Sequence, residues 1–288
     1  MTAPPQGVEV DDVSFPAGRI RFYRAGSSGP AVVLLHGAGL DNAMLSWRHA
    51  IPVLAVDHRV YVPDLPGQGG SLEWRGRANQ RAFEEVLRWL LDAWEVPEAT
   101  LVGLSMGSSI ATGFALRHPH RVNGLVLADA GGIQHRLDKH ALNYALVRLG
   151  LFGKLGAKVL GSSRSLVRRM LTSSLFTGAQ SVTDLEAIVE EVRAEARNRK
   201  SLFTDWQIDS IDRRAMKVNH LPRLEAIQCP TMFIHGEKDR AVPVSCAREA
   251  AGAVAGSSLR VVDDAGHWPN REKPNEFNAL VREFVNAR

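Results

Sequence analysis

The feature that most restricts the fold is a series of short, largely apolar runs separated by amphipathic helical stretches. Apolar runs of strand length fall at residues 31–35, 59–63, 100–104, 122–128, 231–234 and 259–262. Helical periodicity is clearest at 79–96, 244–253 and 274–287. Apolar strands that alternate with helices are typical of a mostly parallel sheet with helices on both faces. We therefore predict an α/β fold, preceded by a strand pair within residues 7–26.

The alternation stops between residues 133 and 222. No strand-like run occurs there, and helical periodicity punctuated by glycines dominates. We predict a core formed by residues 1–132 and 223–288, with residues 133–222 inserted as a helical unit. The insertion carries 15 basic and 9 acidic residues, a net charge of +6, whereas the rest of the chain has a net charge of −2. We interpret this charge as a solvated helix face, and no nucleic-acid-binding motif accompanies it.

Composition excludes several classes of protein. Among 288 residues, only Cys229 and Cys246 are cysteines, too few for a disulfide framework or a zinc site. No apolar run reaches the ~20 residues that span a bilayer. Residues 1–12 lack the basic head and apolar core of a secretory signal, so we expect a cytoplasmic protein. We expect no membrane association, because we find no long apolar face with a basic edge in the insertion. A homodimer is left open.

A nucleophile motif follows the run at 100–104. Gly103-Leu104-Ser105-Met106-Gly107 matches G-x-S-x-G at a change from strand to helix. Ser105 at such a sharp turn requires small residues two positions before and after it. The turn raises the hydroxyl above the sheet at a helix N-terminus, where negative charge is favoured. We predict that Ser105 is a nucleophile; the alternative is a helix-capping serine.

A second loop offers backbone donors for an oxyanion. His36-Gly37-Ala38-Gly39 follows the run at 31–35, and its glycines permit close backbone approach. We predict that the N–H groups of Ala38 and Met106 form the oxyanion hole. We interpret His36 as structural.

The general base and its acid are predicted downstream. His267 follows the run at 259–262, and Asp239 follows the run at 231–234. In this interpretation Ser105 attacks, His267 transfers the proton and Asp239 orients the imidazole. Asp129, after the run at 122–128, is the alternative acid. No metal or organic cofactor is indicated.

Together, these motifs resemble the α/β-hydrolase superfamily, in particular serine-nucleophile members with a helical cap. The resemblance extends over nearly the whole chain and includes Asp64-Leu65-Pro66-Gly67-Gln68-Gly69 and His235-Gly236-Glu237-Lys238-Asp239. It implies that residues 133–222 are a cap over the active site that selects a small-molecule substrate. Gly37 and Trp268 are predicted to contact that substrate, and Met106 and Trp268 to form the pocket floor.

The reaction is less tightly defined. Ser105 argues against epoxide hydrolases and haloalkane dehalogenases of this fold, which use an aspartate nucleophile. Gly266-His267-Trp268 resembles the carbon–carbon hydrolases that cleave ring-opened aromatic catabolites, but Leu104 replaces their usual Asn. Those enzymes hold a substrate carboxylate with a cap arginine, and Arg193, Arg197 and Arg199 lie in a suitable region. We do not expect an arginine within salt-bridge reach of a substrate on Ser105.

We therefore predict a serine hydrolase for a small to medium, largely apolar ester or lactone. Carbon–carbon hydrolysis of a ring-cleavage product is the second hypothesis. A non-catalytic ligand-binding protein is the third.

Overall fold

The computed structural model describes residues 3–288, so the first two residues of the predicted core lie outside it. Eight strands form one sheet: β1 (Glu9–Phe15), β2 (Gly18–Ala25), β3 (Ala31–Leu35), β4 (Arg59–Pro63), β5 (Ala99–Leu104), β6 (Val122–Ala128), β7 (Thr231–Gly236) and β8 (Ser258–Val262). The helices are α1 (Ala43–Trp47), α2 (Ile51–Leu54), α3 (Gln80–Ala93), α4 (Met106–Arg117), α5 (His140–Arg148), α6 (Gly150–Ser162), α7 (Arg164–Met170), α8 (Leu185–Asn198), α9 (Asp205–Ser210), α10 (Val244–Ala253), α11 (Pro269–Glu272) and α12 (Pro274–Asn286).

The sheet order is β1-β2-β4-β3-β5-β6-β7-β8. β2 runs antiparallel to both of its neighbours, β1 and β4. The other six strands, β3 to β8, are parallel to one another. Every residue of β3, β5 and β7 is buried, as expected for strands covered on both faces. The structure thus confirms the predicted α/β fold. Because parallel strands end at one edge, the loops after β3, β5, β6, β7 and β8 converge there.

Helix boundaries follow from local capping and periodicity. In α3 the Asn79 side chain accepts a hydrogen bond from the Ala82 N–H, which satisfies one of the free donors at the helix start. Phe83, Leu87 and Leu91 recur on one face of α3 and are buried against the sheet. Sequence reasoning did not identify α1 and α2, which are only five and four residues long.

Residues 133–222 contain helices α5 to α9 and no strand; within this described segment, the only β pairing is the bridge between Ile211 and Met216. Several glycines in this segment are packing residues inside helices and do not mark helix ends. A Cβ on Gly153 would lie 2.3 Å from the Ser201 hydroxyl, and one on Gly156 would lie 2.4 Å from the Leu202 side chain. These glycines therefore let α6 pack closely against the segment that follows α8.

The surface of the insertion bears on the expectation that it has no long apolar face with a basic edge. The outer side of α6 displays Phe152, Leu155 and Val159 to solvent, beside Lys154 and Lys158. The insertion thus does carry an apolar face with a basic edge, which was hard to see in sequence because glycines interrupt the periodicity. Within residues 3–288, no helix is long and apolar enough to cross a membrane.

Candidate active site

Ser105 lies on a strained turn between β5 and α4. Its backbone φ of +52° is in the left-handed region, which non-glycine residues rarely occupy. The turn is possible because its neighbours are small: a Cβ on Gly107 would lie 2.0 Å from the Leu35 carbonyl oxygen, and one on Gly103 would lie 2.3 Å from the Ser108 nitrogen. The sequence motif thus reflects a steric requirement of this turn.

His267 connects Ser105 to a buried carboxylate. Its Nε2 lies 3.0 Å from Ser105 Oγ, and its Nδ1 lies 2.8 Å from Asp239 Oδ2. The other oxygen of Asp239 accepts hydrogen bonds from the N–H groups of Ala241 and Val242. Burial opposes ionisation of Asp239, but the neighbouring imidazole of His267 outweighs it and lowers the pKa of Asp239. This geometry can transfer a proton from the serine hydroxyl to the imidazole.

Asp129, the alternative acid, lies beside Asp239 but makes no hydrogen bond to His267. Its Oδ1 accepts from the Gly236 N–H at 3.0 Å, while its Oδ2 is buried without a partner among residues 3–288. Burial and the negative charge of Asp239 raise the pKa of Asp129 well above its usual value. The neutral form of Asp129 is therefore favoured more than in an exposed aspartate, and its φ of +41° places it in a strained backbone conformation.

Asp129, Asp239 and His267 each offer a ligand atom within 4.8 Å of the others. Both ring nitrogens of His267 are already engaged, by Asp239 and by Ser105. In this arrangement, neither ring nitrogen of His267 is free to bind a metal ion.

A network of buried side chains holds the loop after β3. Leu65 N–H donates to His36 Nε2, so the ring proton lies on Nδ1, which donates to the Gly37 carbonyl at 2.9 Å. Burial lowers the pKa of His36 to about 3, which keeps the ring neutral. Asp41 Oδ2 accepts from the Gly37 N–H at 2.7 Å. These contacts support the structural interpretation of His36.

Two backbone donors remain free near Ser105. Met106 is the first residue of α4, so its N–H has no acceptor within the helix. Among residues 3–288, the Ala38 N–H also has no protein acceptor, whereas the Gly37 N–H is taken by Asp41. The two N–H groups predicted to form an oxyanion hole thus have no acceptor in the described part of the chain.

Ser105 opens into a cavity of about 630 Å³ between the sheet edge and residues 133–222. Gly37, Ala38, His267 and Trp268 line it on the core side. Apolar side chains from the helical segment complete the wall; they include Leu142, Val147, Leu160, Met170, Val192 and Leu202. The Met106 side chain packs in the core instead, so its predicted place at the pocket floor is wrong.

Comparison with known proteins identifies the family. A family model for the α/β hydrolase fold matches residues 30–274. The chain belongs to the α/β-hydrolase family. An uncharacterized protein of Mycobacterium tuberculosis is 31% identical over 94% of this chain and 79% of its own length. The 2-hydroxymuconate semialdehyde hydrolase of Pseudomonas sp. strain CF600 is 29% identical over 99% of this chain and 97% of that protein.

Solved structures show the same fold. A serine hydrolase from the polyaromatic hydrocarbon-degrading bacterium Cycloclasticus zankles superposes with a TM-score of 0.80 at 20% identity, covering 97% of this chain and 98% of that chain. With these relatives named as hydrolases, the protein is a hydrolase enzyme.

Two basic side chains of this α/β hydrolase line the cavity, and both are exposed to solvent. Among residues 3–288, Lys139 and Arg240 are the Lys and Arg side chains that line it, and both are solvent-exposed. Arg240 Nη1 donates to the Ser173 carbonyl at 2.6 Å. An arginine therefore lines the cavity, from the loop after β7; the expectation that none lies within salt-bridge reach of a substrate on Ser105 stays a prediction.

The three cap arginines considered in the sequence do not line the cavity. Arg193 pairs with Glu190, and Arg197 donates to the Gly161 carbonyl. Arg199 donates to the Gly39 carbonyl and so helps to hold the loop after β3.

Sequence reasoning missed residues that join the catalytic loops to the helical segment of this α/β hydrolase. Glu272 accepts from the Gly266 N–H at 2.5 Å and from the Thr177 N–H at 2.7 Å. The His267 N–H donates to the Leu175 carbonyl at 2.8 Å. The position of His267 thus depends on residues 175–177, about 90 residues earlier in the chain. An acidic residue five positions after the histidine was a weak signal, because nothing in the sequence marks its partner.

Proposed function

We propose that this α/β hydrolase is a serine hydrolase whose triad is Ser105, His267 and Asp239. The observation that carries the proposal is the pair of contacts made by His267, to Ser105 Oγ at 3.0 Å and to Asp239 Oδ2 at 2.8 Å. Ser105 attacks the substrate carbonyl while His267 accepts its proton. The N–H groups of Ala38 and Met106 stabilise the oxyanion. His267 then protonates the leaving group, and water releases the acyl-enzyme by the reverse sequence.

We further propose that residues 133–222 act as a cap that selects the substrate. The apolar side chains of α5, α6 and α8 that line the cavity support this role. A cavity of about 630 Å³ suits a small to medium ligand. Its lining favours an acyl group without a buried charge.

The proposed substrate is a largely apolar ester or lactone. Ester hydrolysis needs only the triad and the oxyanion donors, since the leaving group is already good. Carbon–carbon cleavage also requires ketonisation of a dienol and a cation for the substrate carboxylate. The cap helix α8 presents Val192 to the cavity, and the two lining cations are exposed at its edge. Such exposed cations bind a carboxylate weakly.

Carbon–carbon hydrolysis remains the second candidate because of named relatives. The Pseudomonas 2-hydroxymuconate semialdehyde hydrolase aligns over nearly the whole of both chains. Arg240 supplies the observation that favours this candidate, because it lies beside the triad acid and faces the cavity.

A comparison of kcat/KM distinguishes the two reactions. We expect a p-nitrophenyl ester or an aryl lactone to be turned over at least about tenfold better than any ring-cleavage dienoate, a difference of about 1.4 kcal/mol in transition-state stabilisation. Ser105→Ala is the control that removes enzymatic turnover of both. Faster bleaching of a coloured dienoate than of the ester, lost in Arg240→Gln, would establish carbon–carbon cleavage instead. Turnover of neither class would favour the ligand-binding alternative.

A further inference from the structure

Exposed apolar side chains are concentrated on one region of the surface. Among the side chains that the structure describes, nine large hydrophobic ones are exposed, and six of them lie on or beside helices α5, α6 and α7. These six are Leu142, Leu149, Phe152, Leu155, Val159 and Leu166. Phe152 and Leu155 are 57% and 58% exposed, and exposed apolar side chains that cluster mark interaction sites.

The orientation of α6 follows from how its inner side packs. Gly153, Gly156 and Gly161 face the chain at residues 197–202, where a Cβ on any of them would lie within 3.0 Å of a neighbouring atom. Phe152, Leu155 and Val159 follow the three- and four-residue spacing of a single helix face, which Gly156 borders and from which Gly153 and Gly161 point away. We call these three residues the α6 apolar face. Their exposure is thus a consequence of the close packing on the other side of the helix.

The charge around the α6 apolar face has one sign. From Lys139 to Thr183 the sequence contains seven Lys and Arg residues and no Asp or Glu. Lys154 and Lys158, one helical turn apart, form the edge of the face and are exposed. Within residues 3–288 neither has a carboxylate within 4.0 Å. Arg164, by contrast, is paired with Glu186 of α8.

We propose that the α6 apolar face and its lysines dock on an anionic lipid membrane. Apolar side chains on one face of a helix with lysines at its edge are the arrangement by which helices lie in the interface of a bilayer. Phe152 and Leu155 enter the headgroup region, while Lys154 and Lys158 contact lipid phosphates. A second copy of the chain is disfavoured as the occupant, because a two-fold contact would bring these unpaired lysines against each other.

The docked surface adjoins the cavity. Helix α5 contributes Leu142, Asn143 and Val147 to the cavity wall, and Leu142 is also 56% exposed. Leu142 therefore belongs both to the exposed apolar side chains of this region and to the cavity wall. A protein docked through α6 holds this part of the cavity close to the bilayer, where apolar molecules concentrate. Docking itself does not depend on the proposed hydrolase activity.

Vesicle co-sedimentation of the full chain tests the proposal. The vesicles are phosphatidylcholine alone, or phosphatidylcholine with about 30% phosphatidylglycerol, at about 0.1 M ionic strength. We expect binding to the anionic vesicles and weakening at about 0.5 M salt, since screening acts on the lysines. Lys154→Gln with Lys158→Gln should weaken binding about fivefold per lysine. Phe152→Ser with Leu155→Ser should weaken it about tenfold or more.

Val56→Ser is the matched control, because Val56 is 67% exposed but lies outside this region. It should bind as the wild type does. All the changed residues are exposed, and circular dichroism checks that each variant is folded. Absent binding to anionic vesicles, equal binding to neutral ones, or unchanged binding of the Phe152→Ser/Leu155→Ser variant would overturn the proposal. Light scattering that shows a dimer lost in this same variant would identify a second copy as the occupant and overturn it as well.

Discussion

Replacing each of the two neighbouring carboxyl groups by its isosteric amide separates their roles. Asp239→Asn removes a buried negative charge 2.8 Å from His267 Nδ1, with no other carboxylate hydrogen-bonded to that ring. Loss of a triad acid reduces kcat by about 10⁴-fold, equivalent to about 5.4 kcal/mol of barrier. We expect a loss of that size, because the amide can present a donor where the imidazole needs an acceptor.

Asp129→Asn should have a much smaller effect. Asp129 makes no hydrogen bond to His267, and its raised pKa favours the neutral form, whose charge the amide shares. Asparagine also tolerates the positive φ of this position. The expected loss of kcat is less than about tenfold, or below 1.4 kcal/mol, and the free energy of unfolding should be unchanged or higher.

The assay is steady-state hydrolysis of a p-nitrophenyl ester, with urea unfolding of both variants to show that they are folded. A larger loss of kcat in Asp129→Asn than in Asp239→Asn would assign the acid to Asp129 and refute the reasoning. Equal losses of several orders of magnitude would refute the separate roles assigned to the two carboxyl groups.

Two further substitutions test the loops that position the site. Gly107→Ala should destabilise the fold by several kcal/mol, because its Cβ would overlap the Leu35 carbonyl. The control is Gly252→Ala, on the open surface of α10, which should stabilise the fold by about 0.5–1 kcal/mol. Similar urea midpoints for the two variants would contradict this steric explanation. His36→Gln keeps an acceptor for the Leu65 N–H but cannot be protonated. The pKa of His36 is about 3 in the folded protein and 6.5 in the unfolded chain. Near pH 5, His36 is therefore protonated only in the unfolded chain, so the stability of the wild type falls as the pH is lowered below 6.5. The destabilisation caused by His36→Gln should therefore shrink by about 2 kcal/mol between pH 8 and pH 5, and a cost independent of pH would show that His36 is not the group responsible.

The strands and the catalytic candidates could be predicted because their signals are local. The apolar run of β5, the small residues around Ser105 and the helix that follows are consecutive in the chain. Parallel strands then bring His267 and Asp239 to the same edge as Ser105, although they are distant in sequence. The geometry of the proposed triad thus follows from the sheet topology together with strand ends that can be seen in the sequence.

What the sequence did not reveal depends on contacts between distant residues. Glu272 holds the loop that carries His267, because it accepts a hydrogen bond from the Thr177 N–H. Asp41 accepts a hydrogen bond from the Gly37 N–H, so in the loop after β3 the Ala38 N–H remains without an acceptor and the Gly37 N–H does not. Neither acid has a partner that a local motif identifies. The glycines of α6 were interpreted as interruptions for the same reason, since only their packing against Ser201 and Leu202 shows that they face inward.

The most direct test of the central claim is covalent labelling of the nucleophile. A fluorophosphonate reacts with a serine that is activated by its histidine, and mass spectrometry of the digested protein locates the adduct. The account predicts one adduct per chain, on Ser105. It also predicts no adduct in a folded Ser105→Ala variant, whose kcat for the p-nitrophenyl ester falls by about 10³-fold or more. An adduct on another residue, or a Ser105→Ala variant that keeps a tenth of the wild-type activity, would contradict the claim that Ser105 is the nucleophile.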